Sequence, residues 1–365
     1  MEVLKDRVFS ALLELLRAGL WEREVEDLSL FPLDEKQWRE LYKISHAQTV
    51  TGIVYRGISY LPEEFMPPAM HSLKWVAQVD AIERRSEQMN GALANLCKVY
   101  REAGLNPVLQ KGQGVAQMYA VPSLRESGDI DLWFSTDEWQ TATEVAKQIS
   151  GSFTIMPDGA GFYKWQGFDV EHHTRLMDLH NPFLKGYVDE LVRSCGYDEM
   201  TLCADEDLKI SVPSPLLNLL VLNTHILKHA VGWGVGLRQL CDMTRACYCL
   251  SDKVDKTAME QTCRKLGLGE WNRLLHAFLI EYLGLPKGRL PYEDVADDAQ
   301  PLLEIVYQSG NFGCQYDERA AAENSAWRRK MQTATTFCKR LPFVFRYAPK
   351  ETFWIFVDLL KGQAR

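Results

Sequence analysis

Val108-Leu-Gln-Lys-Gly-Gln-Gly-Val-Ala-Gln-Met-Tyr-Ala-Val-Pro-Ser-Leu-Arg-Glu-Ser-Gly-Asp-Ile-Asp-Leu-Trp-Phe134 decides how this chain is read. It has the pattern of a strand, a glycine turn, a short helix, a loop containing Arg125, and a second strand. Side chains alternate across a strand, so Asp129 and Asp131 point to one face while Ile130, Leu132 and Phe134 point to the other and enter a core. Two carboxylates on one strand face, with a third nearby, form the hard anionic set that holds Mg²⁺ against a triphosphate. Gly112 and Gly114 let the backbone approach a ligand closely, and the helix starting there offers unpaired N–H groups to a phosphate. Lys111 places a point charge beside that turn. Arg125 either offsets triphosphate charge or anchors its loop to a carboxylate.

The third carboxylate is expected on an adjacent strand. After the Asp-x-Asp pair the pattern gives a helix over 136–149, a strand over 152–156 and a turn at Asp158-Gly159-Ala-Gly161. Phe162–Trp165 and Phe168–His173 then form a hairpin around Gln166-Gly167. Asp169, Glu171 and His173 share one face of the last strand. Asp169, nearer the hairpin turn, and Glu171 compete as the metal ligand. His172 faces the core, and His173 either orients Glu171 or contacts a ligand.

Lys111-Gly112, Arg125, Gly128-Asp129-Ile130-Asp131 and Val170-Glu171-His172-His173-Thr174-Arg175-Leu176 resemble the nucleotidyltransferase 5 family, within the DNA polymerase β-like nucleotidyltransferase superfamily. The resemblance continues through His225-Ile-Leu-Lys228-His229 and Leu237-Arg238-Gln-Leu-Cys-Asp242, and covers roughly residues 100–250. It implies metal roles for Asp129, Asp131 and Glu171, and so favours Glu171 over Asp169; it also implies a histidine after the last carboxylate at His173 and a nucleotide cleft reached by Arg238. The turn Lys111-Gly112-Gln113-Gly114 departs from the Gly-Ser or Gly-Gly usual in the superfamily.

The flanks read as helical. Residues 1–104 carry apolar residues at helical spacing, including a long pattern from Met70 to Ala103, and form a lead-in expected to pack on the catalytic sheet. Residues 176–212 read as a connection, and Pro213-Ser-Pro215 opens an apolar helix that ends near His229. On that helix His225 and His229 lie four apart, but Ile226 stands where a zinc-protease motif needs Glu, so zinc is discounted; Lys228 and His229 instead reach phosphates from the far wall. Gly232-Trp-Gly-Val-Gly236 and Ser309-Gly310-Asn-Phe-Gly313 read as turns. Residues 326–340 are basic through Arg328, Arg329, Lys330, Lys339 and Arg340, a solvated helix face by default. Phe343–Leu360 is aromatic yet charge-interrupted, and docks on the helical bundle.

With 365 residues, two or three packed units are expected. A formal charge of −8 argues against a surface that tracks duplex DNA. Nine cysteines without paired short spacings, Cys247-Tyr-Cys249 included, argue for reduced thiols in a cytoplasmic protein rather than disulfides or zinc. No apolar run is long enough for a bilayer, and no signal peptide is expected.

The expected architecture is α+β: a helical region over 1–104, a small mixed-sheet nucleotidyltransferase unit over 105–176 and a helical region over 177–365. The expected reaction moves NMP from an NTP to an acceptor, with Mg²⁺ or Mn²⁺ on Asp129, Asp131 and Glu171, Glu171 also placed to draw the proton from the acceptor, and release of pyrophosphate. Lys111, Gly112, Gly114, Arg125, Lys228, His229 and Arg238 are the expected nucleotide contacts. The unusual turn supports an alternative, a nucleotide-binding or regulatory protein without catalysis; a helical scaffold with an incidental acidic sheet is the third possibility.

Overall fold

The computed structural model describes residues 3, 6–156, 159–202, 205–232, 234–309 and 340–360. Residues 310–313 of the sequence turn, most of the basic segment 326–340, Asp158 and Trp233 fall outside the described residues.

Capping sets the start of the helical lead-in. Asp6 accepts from the amides of Val8 and Phe9 to begin α1 (Arg7–Trp21), and Asp34 with Gln37 forms a reciprocal capping box on α2 (Glu35–Ala47). Helix α3 (Thr51–Ile58) lies against α1 so closely that a Cβ on Gly57 would meet the Leu15 carbonyl at 1.8 Å; only glycine fits there. Helix α4 (Ala69–Glu102) follows.

Seven strands then form one mixed sheet in the order β3-β4-β5-β2-β1-β7-β6. They are β1 (Val108–Gln110), β2 (Asp129–Trp133), β3 (Thr154–Ile155), β4 (Gly161–Trp165), β5 (Phe168–His173), β6 (Tyr197–Leu202) and β7 (Asp205–Pro213). Helix α5 (Gly112–Ala116) links β1 to the loop before β2, α6 (Trp139–Ser150) follows β2, and α7 (Lys185–Cys195) precedes β6. The β4–β5 hairpin turns through Gln166 and Gly167, both at positive φ, as a tight two-residue turn requires. Helices α8 (Pro215–Val231), α9 (Leu237–Leu250), α10 (Lys256–Leu266), α11 (Gly269–Glu281), α12 (Gln300–Ser309) and α13 (Pro349–Leu360) follow, with a further helical stretch over 340–347 before α13. The class is therefore α+β with helical flanks, as the sequence pattern predicts.

Two expectations change. The stretch 176–212 is no plain connection: it supplies α7 and both strands of the β6–β7 hairpin, and β7 pairs in parallel with β1. The alternation there is broken by charges on an exposed edge strand, so it does not read as a buried strand. Nor does all of residues 1–104 pack on the sheet. Helices α1–α3 share a core with α8–α12, fixed by Trp21 Nε1 donating to the Leu283 carbonyl at 2.6 Å and Gln48 Nε2 donating to the Val306 carbonyl at 3.2 Å. Only the second half of α4, from Met89 to Tyr100, covers the sheet, meeting Leu109, Ile130, Leu132 and Val170. Segment 343–360 docks through Val344, Tyr347 and Ile355, leaving Phe345, Phe353 and Phe356 exposed. The six cysteines among the described residues are free thiols, and no described helix is long and apolar enough to cross a membrane.

Candidate active site

Strands β2 and β5 pair in parallel, with Asp129 opposite Asp169, Asp131 opposite Glu171 and Trp133 opposite His173. Neighbouring residues in a ladder share a face, so this register alone sets Asp131 beside Glu171. One oxygen of Asp131, Oδ1, accepts from His173 Nε2 at 2.6 Å and from Lys111 Nζ at 3.1 Å. His173 Nε2 also lies 3.7 Å from Glu171. Asp169, on the same strand face, turns outward to Lys164 Nζ at 2.6 Å, where both are exposed. On the opposite face His172 is fully buried, and its Nε2 shares a hydrogen-bonded cluster with the hydroxyls of Tyr100, at 2.9 Å, and Tyr163, at 3.2 Å.

The electrostatics follow from this crowding. Burial pushes Asp131 up, but the Lys111 ammonium and His173 more than offset it and hold the carboxyl well below the usual range. The charge of Asp131, then burial, pushes Asp129 up to about 6. For Lys111 the charges of Asp131, Asp178 and Asp129 outweigh burial and raise its pKa.

The turn before α5 brings Lys111 there at a conformational cost. Lys111 sits at φ 45°, ψ −142°, a region that suits glycine, and Gly112 follows at φ 45°. Gly112 takes a positive φ that favours glycine, and a Cβ there would meet the Asp129 carbonyl at 3.5 Å. Gly114 has no positive φ, and a Cβ there would meet Leu109 and Met200 in the core at 3.5 and 3.8 Å. Gln113, the odd residue of the turn, is buried and donates to Asn90 Oδ1 at 2.8 Å and to the Ser86 carbonyl at 3.0 Å, while its Oε1 accepts from Ser127. It ties the turn to α4 and to the loop before β2.

Of the two roles open to Arg125, the structure gives the anchor. Its Nε and Nη2 make a bidentate pair with Asp242 at 3.0 and 2.6 Å, and Nη1 donates to Ser127 at 2.6 Å. Asp242 also accepts from the Tyr119 hydroxyl at 2.7 Å. Arg238 does not pair with Asp242 by hydrogen bond; its Nη1 donates to the Glu126 carbonyl at 3.1 Å. Burial, then the Arg125 charge, lowers its pKa, and its own charge acts on Asp129.

The opposite wall comes from α8 and the loop after β5. Asp178 accepts from His225 Nδ1 through Oδ2 and from Lys228 Nζ through Oδ1, each at 3.0 Å. Burial alone would raise the Asp178 pKa; Lys228, His225 and Lys111 together hold it well below the carboxylate range. His229 stacks edge-on against His225 with ring centroids 4.5 Å apart, and is buried. The sequence reading places Lys228 and His229 on this wall but misses Asp178. Only the His225 pair, four residues apart, marks the helix face in the sequence.

Ligand atoms of Asp131, Glu171 and His173 lie within 4.8 Å of one another. Asp129 is not part of that trio, although its charge is coupled to it. Carboxylate oxygens suit a hard divalent ion, and the imidazole is the softer member of the trio. The raised pKa of Asp129 marks an excess of negative charge that a divalent ion would relieve.

A sequence model for a family described as uncharacterised nucleotidyltransferase matches residues 34–284. No curated protein and no solved structure matches the chain.

Proposed function

The chain belongs to the uncharacterised nucleotidyltransferase family, and we propose that it transfers NMP from an NTP to an acceptor hydroxyl, with a divalent metal ion and release of pyrophosphate. The observation that carries this is the parallel β2–β5 register, which sets Asp131 against Glu171 with His173 in reach of both. Asp131 and Glu171, with Asp129 and His173 beside them, would hold the ion, which when bound neutralises the triphosphate and draws charge from the α-phosphate.

The remaining groups bind and orient. Lys111 and Lys228 offer their ammonium groups from opposite walls to the β- and γ-phosphates. The backbone at Gly112 approaches those phosphates at the start of α5. Arg238 adds positive charge near Asp129. Arg125 keeps its loop in place through Asp242, so its part in nucleotide binding is to position Ser127 and Asp129. A cytoplasmic setting, where NTPs and Mg²⁺ are abundant, fits this role.

The test is incubation with each α-labelled NTP, Mg²⁺ or Mn²⁺, and cell extract. Label passing to a new product with equivalent pyrophosphate is the expected result. No labelled product and no pyrophosphate with any of the nucleotides would overturn the proposal.

A further inference from the structure

The helix wall contains a pair of groups that metal and phosphate binding leave unused. Asp178 is ionised, so the hydrogen it accepts from His225 is the one on Nδ1. In a neutral imidazole that fixes Nε2 as the acceptor. Among the described residues Nε2 has no hydrogen-bond partner, and His225 is only partly buried. Lys228 occupies the second oxygen of Asp178 and prevents the carboxylate from swinging away. His225 is also close enough to the sheet wall for its charge to act on Asp131 and for Lys111 to act on it. The arrangement has the parts of a proton acceptor: a ring oriented by a carboxylate at one nitrogen and open at the other.

We infer that His225, oriented by Asp178, takes the proton from the acceptor hydroxyl during transfer; this rests on the nucleotidyl-transfer proposal above. The acceptor oxygen forms a bond to the α-phosphorus. The bond from that phosphorus to the bridging oxygen breaks, and pyrophosphate leaves with its electron pair. The acceptor's proton moves to His225 Nε2 and from there to solvent. Glu171 is thereby left free to remain a metal ligand. The charged and titratable groups around His225 are Asp178, Lys228 and His229 on its own wall and Lys111 and Asp131 across the cleft. Burial and the Lys111 charge lower the ring's pKa to about 4, so it stands neutral at neutral pH; the acceptor role rests on the ring's geometry, with Nδ1 held by Asp178. His225 is the catalytic residue of this step and Asp178 a positioning residue.

The experiment measures pyrophosphate release from ATP, GTP, CTP and UTP in turn, by full-length protein with Mg²⁺ and cell extract, together with nucleotide affinity by calorimetry. His225→Gln is expected to lower kcat on the order of a hundred- to ten-thousandfold with nucleotide Kd unchanged within about twofold. Asp178→Asn is expected to lower kcat as well, and nitrogen NMR of the His225 ring should show the proton moved from Nδ1 toward Nε2, a signature that a purely structural carboxylate would not give. This second variant decides the matter if His225→Gln fails to fold. Unchanged kcat in both variants, or a loss confined to affinity, overturns the inference. If Asp131→Asn abolishes release while both helix-wall variants keep it, the transfer proposal stands and only the role of His225 falls. If the wild type releases no pyrophosphate, both fall together.

Discussion

On the sheet wall of the cleft, the backbone ladder between β2 and β5 sets Asp131 beside Glu171 whatever their side chains do. On the helix wall, Asp178 and His225 are 47 residues apart in sequence and meet only through their side chains. The sheet wall is backed by a buried layer in which Ile130, Leu132, Val170 and His172 pack against α4. Each wall has a carboxylate that holds both a ring and an ammonium, Asp131 with His173 and Lys111, and Asp178 with His225 and Lys228; the difference is that Asp131 sits in a backbone ladder and Asp178 in an irregular segment. A site built on a ladder loses chemistry, and little geometry, when one ligand is changed. A wall whose groups meet only through side chains loses their placement when its carboxylate is changed.

The largest effect is expected on the sheet wall. Asp131→Asn and Glu171→Gln should each cost transfer on the order of a thousandfold, about 4 kcal/mol of transition-state stabilisation, with the fold retained. Asp169→Asn should leave transfer within a few-fold, because Asp169 is turned out to Lys164. Steady-state rates for the three variants test the register directly: if Asp169→Asn is the inactive one, the metal site has been placed one residue pair wrong.

The next effect lies where the loop before β2 is tied to α9. Asp242→Asn leaves the Arg125 guanidinium buried without its counter-charge. It should cost about 3–5 kcal/mol of stability by denaturant titration. A loss under 1 kcal/mol would mean that Arg125 finds another partner and that the anchor is not what holds the loop.

Behind the sheet wall, His172 offers a pH test. Its folded pKa is depressed from 6.5 to about 3, chiefly by burial. As pH falls below 6.5 the unfolded chain binds a proton that the folded ring refuses, so stability drops progressively toward pH 3. His172→Phe should remove that part of the acid sensitivity, a few kcal/mol at most, and flatten the stability curve between about pH 7 and about pH 4. An identical slope in the variant would show that the buried ring is already charged or already exposed.

The smallest effect concerns the cation that faces both walls. Lys111→Met should weaken NTP binding on the order of ten- to a hundredfold, and NMP binding less, since NMP lacks the phosphates it would meet. Equal weakening of the two nucleotides would give Lys111 a structural role through Asp131 instead.

These comparisons also explain how much was legible in the sequence. Asp129, Asp131, Glu171 and His173 announce themselves because a period of two is written locally, and the hairpin at Gln166-Gly167 fixes where β5 begins. The same alternation separates His172 from His173. The partner of Arg125 was open because a guanidinium in a loop has no period to follow; only packing brings Asp242 of α9 to it. Asp178 was hidden for the same reason: it lies in an irregular segment, and its meaning depends on where α8 returns. Gln113 looked like a defect of a phosphate turn until its contacts with Ser86 and Asn90 on α4 were in view. The β6–β7 hairpin was obscured because an exposed edge strand carries charges where a core strand carries apolar residues.

The central claim is that Asp131 and Glu171 on neighbouring parallel strands hold the metal ion. The most direct measurement is Mn²⁺ binding by electron paramagnetic resonance, with ATP present, for wild type, Asp131→Asn, Glu171→Gln and Asp169→Asn. The account predicts bound Mn²⁺ in the wild type and in Asp169→Asn, and loss of the bound signal in the other two. Retention of Mn²⁺ by both Asp131→Asn and Glu171→Gln would contradict it.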